Sequence, residues 1–237
     1  MTPERLEAII TSLNQRQPDL TVIMENVIKP HNLAAVARTS DAVGALDIHA
    51  ITPRRSIKLT QMSAGGIKKW ITVNTHIDTA TGVTHLKQQG FQIVATCLSE
   101  AAKDYREIDY TKPTAILVGE ELEGLSEQAL MLSDEYVTIP MAGLVQSLNV
   151  SVASALLLYE AYRQRDAAGM YDQRRIDDDT YYTLLFEWCH PIVTRYCKQR
   201  KLPYPRINEQ AEIIEPLADS TTYTEDDFAD WLRKKKL

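Results

Sequence analysis

From about Leu20 to Ala168 the chain alternates short β-rich apolar runs with segments of helical period, and this alternation restricts the possible folds most. The expected strands are "LTVIMENV", "LDIHAI", "KWITVNT", "FQIVATC", "TAILVG" and "EYVTIP". Between or after them come "PHNLAAVARTSDAVG", a helix starting near Asn32 and stopping at Gly44, "THLKQQG" ending at Gly90, "SEQALMLS", and the long "VSVASALLLYEAYRQR". Strands separated by helices form crossover units rather than hairpins, so the reading is an α/β fold with a mainly parallel sheet flanked by helices.

Both ends read differently. "TPERLEAIITSLNQRQ" is an amphipathic helix with Thr2 as N-cap and Pro3 in its first turn, and Arg5 and Arg16 are expected on it. "DDTYYTLLFEWCHPIVTRYCKQR" is helical but interrupted by Pro191, which should end or kink it. "TEDDFADWLRKKK" reads as a terminal helix with acids in its first turn and lysines in its last. The expected organisation is a helical extension over 1–19, the α/β domain over 20–168 and a second helical extension over 169–237. No run approaches the roughly 20 apolar residues of a membrane span. The first residues lack a basic segment leading into an apolar one, so the expected location is the cytoplasm.

Several chemistries lack their residues. No G-x-G-x-x-G follows a strand, and "GEELEGLS" has Leu125 where a phosphate loop needs lysine and three glutamates where phosphate would be repelled. The five histidines show no metal-ligand spacing, and the three cysteines share no C-x-x-C, so no metal is expected. Ser147 lacks the glycine-flanked elbow of a hydrolase nucleophile, and as a bare pattern it reads as an N-cap. The net charge of −6 opposes general nucleic-acid binding, yet basic residues gather in "RR", "KK", "RQR" and "RYCKQRK", compatible with one basic surface.

What remains is polar chemistry where strands should end. "HNLAAVART" and "IPMAGLVQSLNVSVASALLLYE" carry asparagines near helix starts, and "ILVGEELEGL" carries a glutamate after a strand. In a parallel sheet all three emerge at the C-terminal edge, where ligands gather. Together with the helical ends and "YREIDYT", these stretches resemble the SpoU/TrmH branch of the SPOUT RNA methyltransferases. The likeness spans the whole α/β core.

The resemblance implies a deep trefoil knot in the C-terminal part of the sheet, with S-adenosylmethionine bound in it, a homodimer, and tRNA as partner. The implied reaction is methylation of the ribose 2′-hydroxyl of guanosine 18 in the D-loop, without a metal. It assigns Asn32, Arg38, Glu121, Ser147 and Asn149 to the catalytic site, and Thr96, Gly119, Ile139 and Leu148 to the cofactor. Arg5, Arg16, Arg163 and Arg165 are the expected RNA contacts. Two roles are open to Arg38, proton acceptor or holder of the neighbouring phosphate, since a guanidinium normally stays charged. Ala34 and Glu120 depart from the family's usual residues, and Glu120 adds negative charge beside the site. Rival readings are the same chemistry on ribosomal RNA or the tRNA wobble ribose, and a catalytically silent RNA-binding protein.

Overall fold

A computed structural model describes residues 1–27, 29–52, 69–120 and 123–215, so Glu121, the basic stretch through Gly65 and the terminal helix lie outside the described residues. The chain divides into two compact units, one of Asn14–Ile176 and one of Met1–Leu13 with Asp177 onward.

The larger unit is built on seven strands: β1 (Leu20–Glu25), β2 (Asp47–Ile51), β3 (Thr72–His76), β4 (Gln92–Thr96), β5 (Lys103–Asp104), β6 (Thr114–Val118) and β7 (Glu135–Thr138). They order as β3-β2-β1-β6-β4-β7-β5, and every pairing is parallel. The central strands β1 and β6 are buried at every position, as strands covered on both faces must be. Their residues divide by alternation. Leu20, Val22, Met24, Ile116 and Val118 pack on one face with α2 (Pro30–Ala42) and α5 (Val150–Ala167). Ile23, Ala115 and Leu117 pack on the other with α3 (Thr79–Gln88) and α4 (Glu127–Met131).

Local sequence sets the boundaries. Helix α2 begins at Pro30, earlier than the expected start near Asn32, because proline suits a first turn whose N–H groups have no helical partner. The chain leaves that helix through Gly44 at φ 85°, where a Cβ would lie 2.7 Å from the Gln15 carbonyl oxygen. In the smaller unit, α1 (Pro3–Asn14) is capped by Thr2 Oγ1, which accepts from Arg5 N at 3.4 Å. Asp177 caps α6 (Asp178–Cys189) through Thr180 N at 2.9 Å. Pro191 separates it from α7 (Pro191–Arg200), as expected.

The N-terminal edge of the sheet is closed by ions. Arg165 on α5 has a fully buried side chain, and its guanidinium donates to Asp19 Oδ1 at 2.6 Å, Gln17 Oε1 at 3.1 Å, and the carbonyls of Tyr110, Asp19 and Lys112. Arg175 donates to the same carboxylate at 2.7 and 2.9 Å. Arg16, 1% exposed, donates to Ala45 O and Asp41 Oδ1, each at 2.7 Å. Burial alone would raise the Asp19 carboxyl, but hydrogen bonds from Arg175 and Arg165, with their charges, hold it below the ordinary range. Such a group contributes stability above its unfolded value of about 3.9 and loses it as pH falls through the folded value. Asp19→Asn is expected to cost about 3 kcal/mol at pH 7 by stranding a buried charge. In urea unfolding the gap to wild type should narrow as pH drops below about 4; a constant gap down to pH 3 would contradict the assignment.

Candidate cofactor and RNA site

At the opposite edge the strands end in turns that enclose a cavity. Beyond β6 the chain folds back tightly: Glu120 and Gly124 form an antiparallel bridge, and Gly124 N donates to Glu120 O at 3.0 Å. Any Cβ on Gly119 would lie 2.1 Å from the Gly124 carbonyl oxygen, so only glycine permits this approach. Beyond β7, Ile139 to Asn149 forms a loop with Leu144 and Val145 exposed, and then α5 begins.

The two segments and the end of β4 line a cavity of about 470 Å³. Thr96, Gly119, Ile139, Ser147 and Leu148, five of the residues singled out from the sequence, are in its wall. Val118, Leu125 and Val137 supply apolar surface suited to a flat base, and the turn and loop bring backbone polar groups close. The volume falls in the range of about 300 to 1,000 Å³ typical of cofactor sites. Cys97 also lines it, and burial raises its thiol pKa, which keeps it protonated and unsuited to nucleophilic work.

The first and third stretches meet beside this cavity. Asn149, between the lining residues Leu148 and Val150, donates from Nδ2 to Asn32 Oδ1 at 3.3 Å across 117 positions of sequence. Asn32 is 2% exposed. Asn149 Oδ1 also accepts from Ser151 N at 2.9 Å, so the cap of α5 is Asn149 rather than Ser147, which is exposed. Arg38 follows on α2 with an exposed side chain and is not part of the cavity wall.

The basic residues separate. Arg5 is exposed on α1. Arg163 is exposed and pairs with Glu160 Oε1 at 2.6 Å. Arg16 and Arg165, expected to contact RNA, are instead buried with their guanidinium groups consumed inside the fold, and Arg16 lies beyond the end of α1. No motif marked Leu98 or Gln146, which also line the wall. Nor did any spacing announce that His49, His76 and His85 gather, with His49 Nδ1 2.8 Å from His76 Nε2. Burial, then the neighbouring His49 and His85, lowers the His76 pKa. Among the described residues no group of side chains is arranged to hold a metal ion.

A parallel sheet whose C-terminal edge carries a cavity lined by a glycine turn and the start of an asparagine-capped helix defines an α/β protein with a ligand site at its strand ends. The chain belongs to the SpoU rRNA Methylase family, which it matches over residues 19–159, and a SpoU C-terminal region matches 163–216. It is 50% identical over 215 residues to a tRNA (guanosine(18)-2′-O)-methyltransferase of Escherichia coli, covering 90% of this chain and 94% of the relative. The crystal structure of the A. aeolicus TrmH/SpoU tRNA modifying enzyme is 38% identical with a TM-score of 0.72, covering 80% of this chain and 97% of that one. The methyltransferase AviRb of Streptomyces viridochromogenes, in complex with the cofactor AdoMet, is 26% identical with a TM-score of 0.57, covering 65% and 59%.

Gly119→Ala should lower stability by about 1–3 kcal/mol, because the clash is between two backbones. Gly143→Ala, whose Cβ would meet nothing within 4 Å, should stay within about 0.5 kcal/mol. Thermal unfolding of the two variants separates them; equal midpoints would contradict the close approach.

Proposed function

We propose that this chain transfers the methyl group of S-adenosylmethionine to the ribose 2′-hydroxyl of guanosine 18 in the tRNA D-loop. The observation that carries the reading is the joining of Asn32 to Asn149 at the border of a cofactor-sized cavity, in a chain half identical to an enzyme named for that reaction. S-adenosylmethionine, when bound, supplies a methyl group already activated on a sulfonium. The chain's residues have two tasks: to hold the 2′-oxygen in line and to remove its proton. In this reading Thr96, Gly119, Ile139 and Leu148 hold the cofactor. Asn32, Ser147 and Asn149 join its site to the ribose, and Glu121 belongs to the same group. Arg38, exposed on α2, accepts the proton or holds the adjacent phosphate.

The remaining features follow the same reading. Arg5 and Arg163 are the RNA contacts, and the exposed Arg163–Glu160 pair is weak enough to be exchanged for a phosphate. Val152, Leu156 and Tyr159 leave an apolar stripe at helical spacing on α5, 48%, 39% and 54% exposed. A second copy of the chain is the proposed cover for that stripe, making a homodimer. The loop from Ile139 to Asn149 forms the closing part of a trefoil knot, and the enzyme works in the cytoplasm on tRNA.

The test is a transfer assay with labelled S-adenosylmethionine and an unmodified tRNA transcript, followed by mapping of the alkali-resistant linkage. Resistance after guanosine 18 is expected; resistance at another nucleotide would move the substrate, and no transfer despite cofactor binding would favour a silent RNA-binding protein. Asn32→Ala and Arg38→Ala should each lower turnover by about a hundredfold or more while cofactor affinity measured by calorimetry changes little. Loss of cofactor binding in Arg38→Ala would contradict this division of labour.

A further inference from the structure

One buried acidic side chain lies outside the cavity wall. Glu25 ends β1 and is 2% exposed. Among the described residues it meets no cation. Its carboxylate is held by neutral donors: Ser126 N at 2.8 Å to Oε2, Ser126 Oγ at 2.8 Å to Oε1, and Thr79 Oγ1 to the same Oε1. A buried acidic side chain is costly unless its oxygens are hydrogen-bonded, and here both oxygens are.

The position of Ser126 shows what these bonds hold. Ser126 ends the turn that begins at Gly119, and its Oγ accepts from Ala129 N at 3.1 Å to start α4. With that acceptor role taken, its single proton is directed to Glu25. Gly119 directly continues β6, and the last β1–β6 pair is Met24 with Val118, so Glu25 leaves β1 alongside the start of the turn. One end of the turn is thus fixed by the sheet and the other by a carboxylate on the neighbouring strand. Between them Gly119, Glu120, Glu123, Gly124 and Leu125 line the cavity, whereas Glu25 does not. The other donor, Thr79, starts α3 and is likewise not part of the wall.

We propose that Glu25 is a positioning residue for the cofactor: by holding Ser126, its carboxylate fixes the neighbouring Glu123, Gly124 and Leu125 in the cavity wall. The inference rests on the proposed cofactor site. An amide at position 25 has only one oxygen and so cannot accept from all three donors as the carboxylate does, which makes the acid, and not only its size, the better match.

The experiment measures S-adenosylmethionine affinity by calorimetry without RNA, together with thermal midpoints, for wild type, Glu25→Gln, Ser126→Ala, their double variant and Thr79→Val. Glu25→Gln and Ser126→Ala should each weaken binding about tenfold, the scale of a hydrogen bond to a charged group. The double variant should be little worse than the weaker-binding single, because each single already disturbs the bond from Ser126 Oγ to the Glu25 side chain. Thr79→Val should lower the midpoint yet leave affinity within about twofold, since it removes the donor that is not part of the turn lining the cavity. If Glu25→Gln fails to fold, Ser126→Ala carries the same prediction. Affinity within twofold of wild type in Ser126→Ala, or a loss in Thr79→Val that follows its midpoint, overturns the inference alone. Absence of binding by wild type overturns the cofactor reading and this inference with it.

Discussion

The buried guanidinium of Arg165 fixes the larger unit. Its donors reach Asp19 just before β1 and the carbonyls of Tyr110 and Lys112 just before β6, so one charge secures the entry points of the two central strands. It also sits in the last turn of α5. That helix has 18 residues, about 27 Å at 1.5 Å per residue, enough to cross the layer from one sheet edge to the other. Anchoring its far end by ions therefore sets where its first turn, Val150 to Ala153, stands against the cavity.

The two edges of the sheet divide the labour. At the N-terminal edge Arg16, Arg165 and Arg175 meet Asp41 and Asp19, and the charges are paired within the fold. At the C-terminal edge polar side chains and backbone face a cavity, and the loop before α5 leaves Leu144 and Val145 exposed. Stability is concentrated at one end and chemistry at the other, which lets the site keep exposed Ser147 and the tight Gly119 turn while the fold is held elsewhere.

Much of this was legible because the sheet is parallel and buried. Six strands stood out as apolar runs, and Pro191 marked its boundary, since proline acts locally. The seventh strand, β5, has only two residues and carries no period to detect. The basic pair "RQR" misled for a geometric reason: residues two apart on a helix point about 200° apart. One arginine therefore faces solvent and the other the core, and sequence alone does not say which. Asn32 and Asn149 could each be singled out, but their contact spans 117 positions and exists only after the sheet has formed. Glu25 looked like one more strand residue, because a carboxylate ending a strand shows nothing of the donors that later surround it.

The most direct test of the central claim changes one atom of the substrate. A tRNA carrying 2′-deoxyguanosine at position 18, otherwise ribose throughout, should bind the protein as its all-ribose counterpart does yet take up no labelled methyl group. Uptake of methyl by the deoxy substrate at the rate of the normal one would contradict the assignment of that 2′-oxygen as the acceptor.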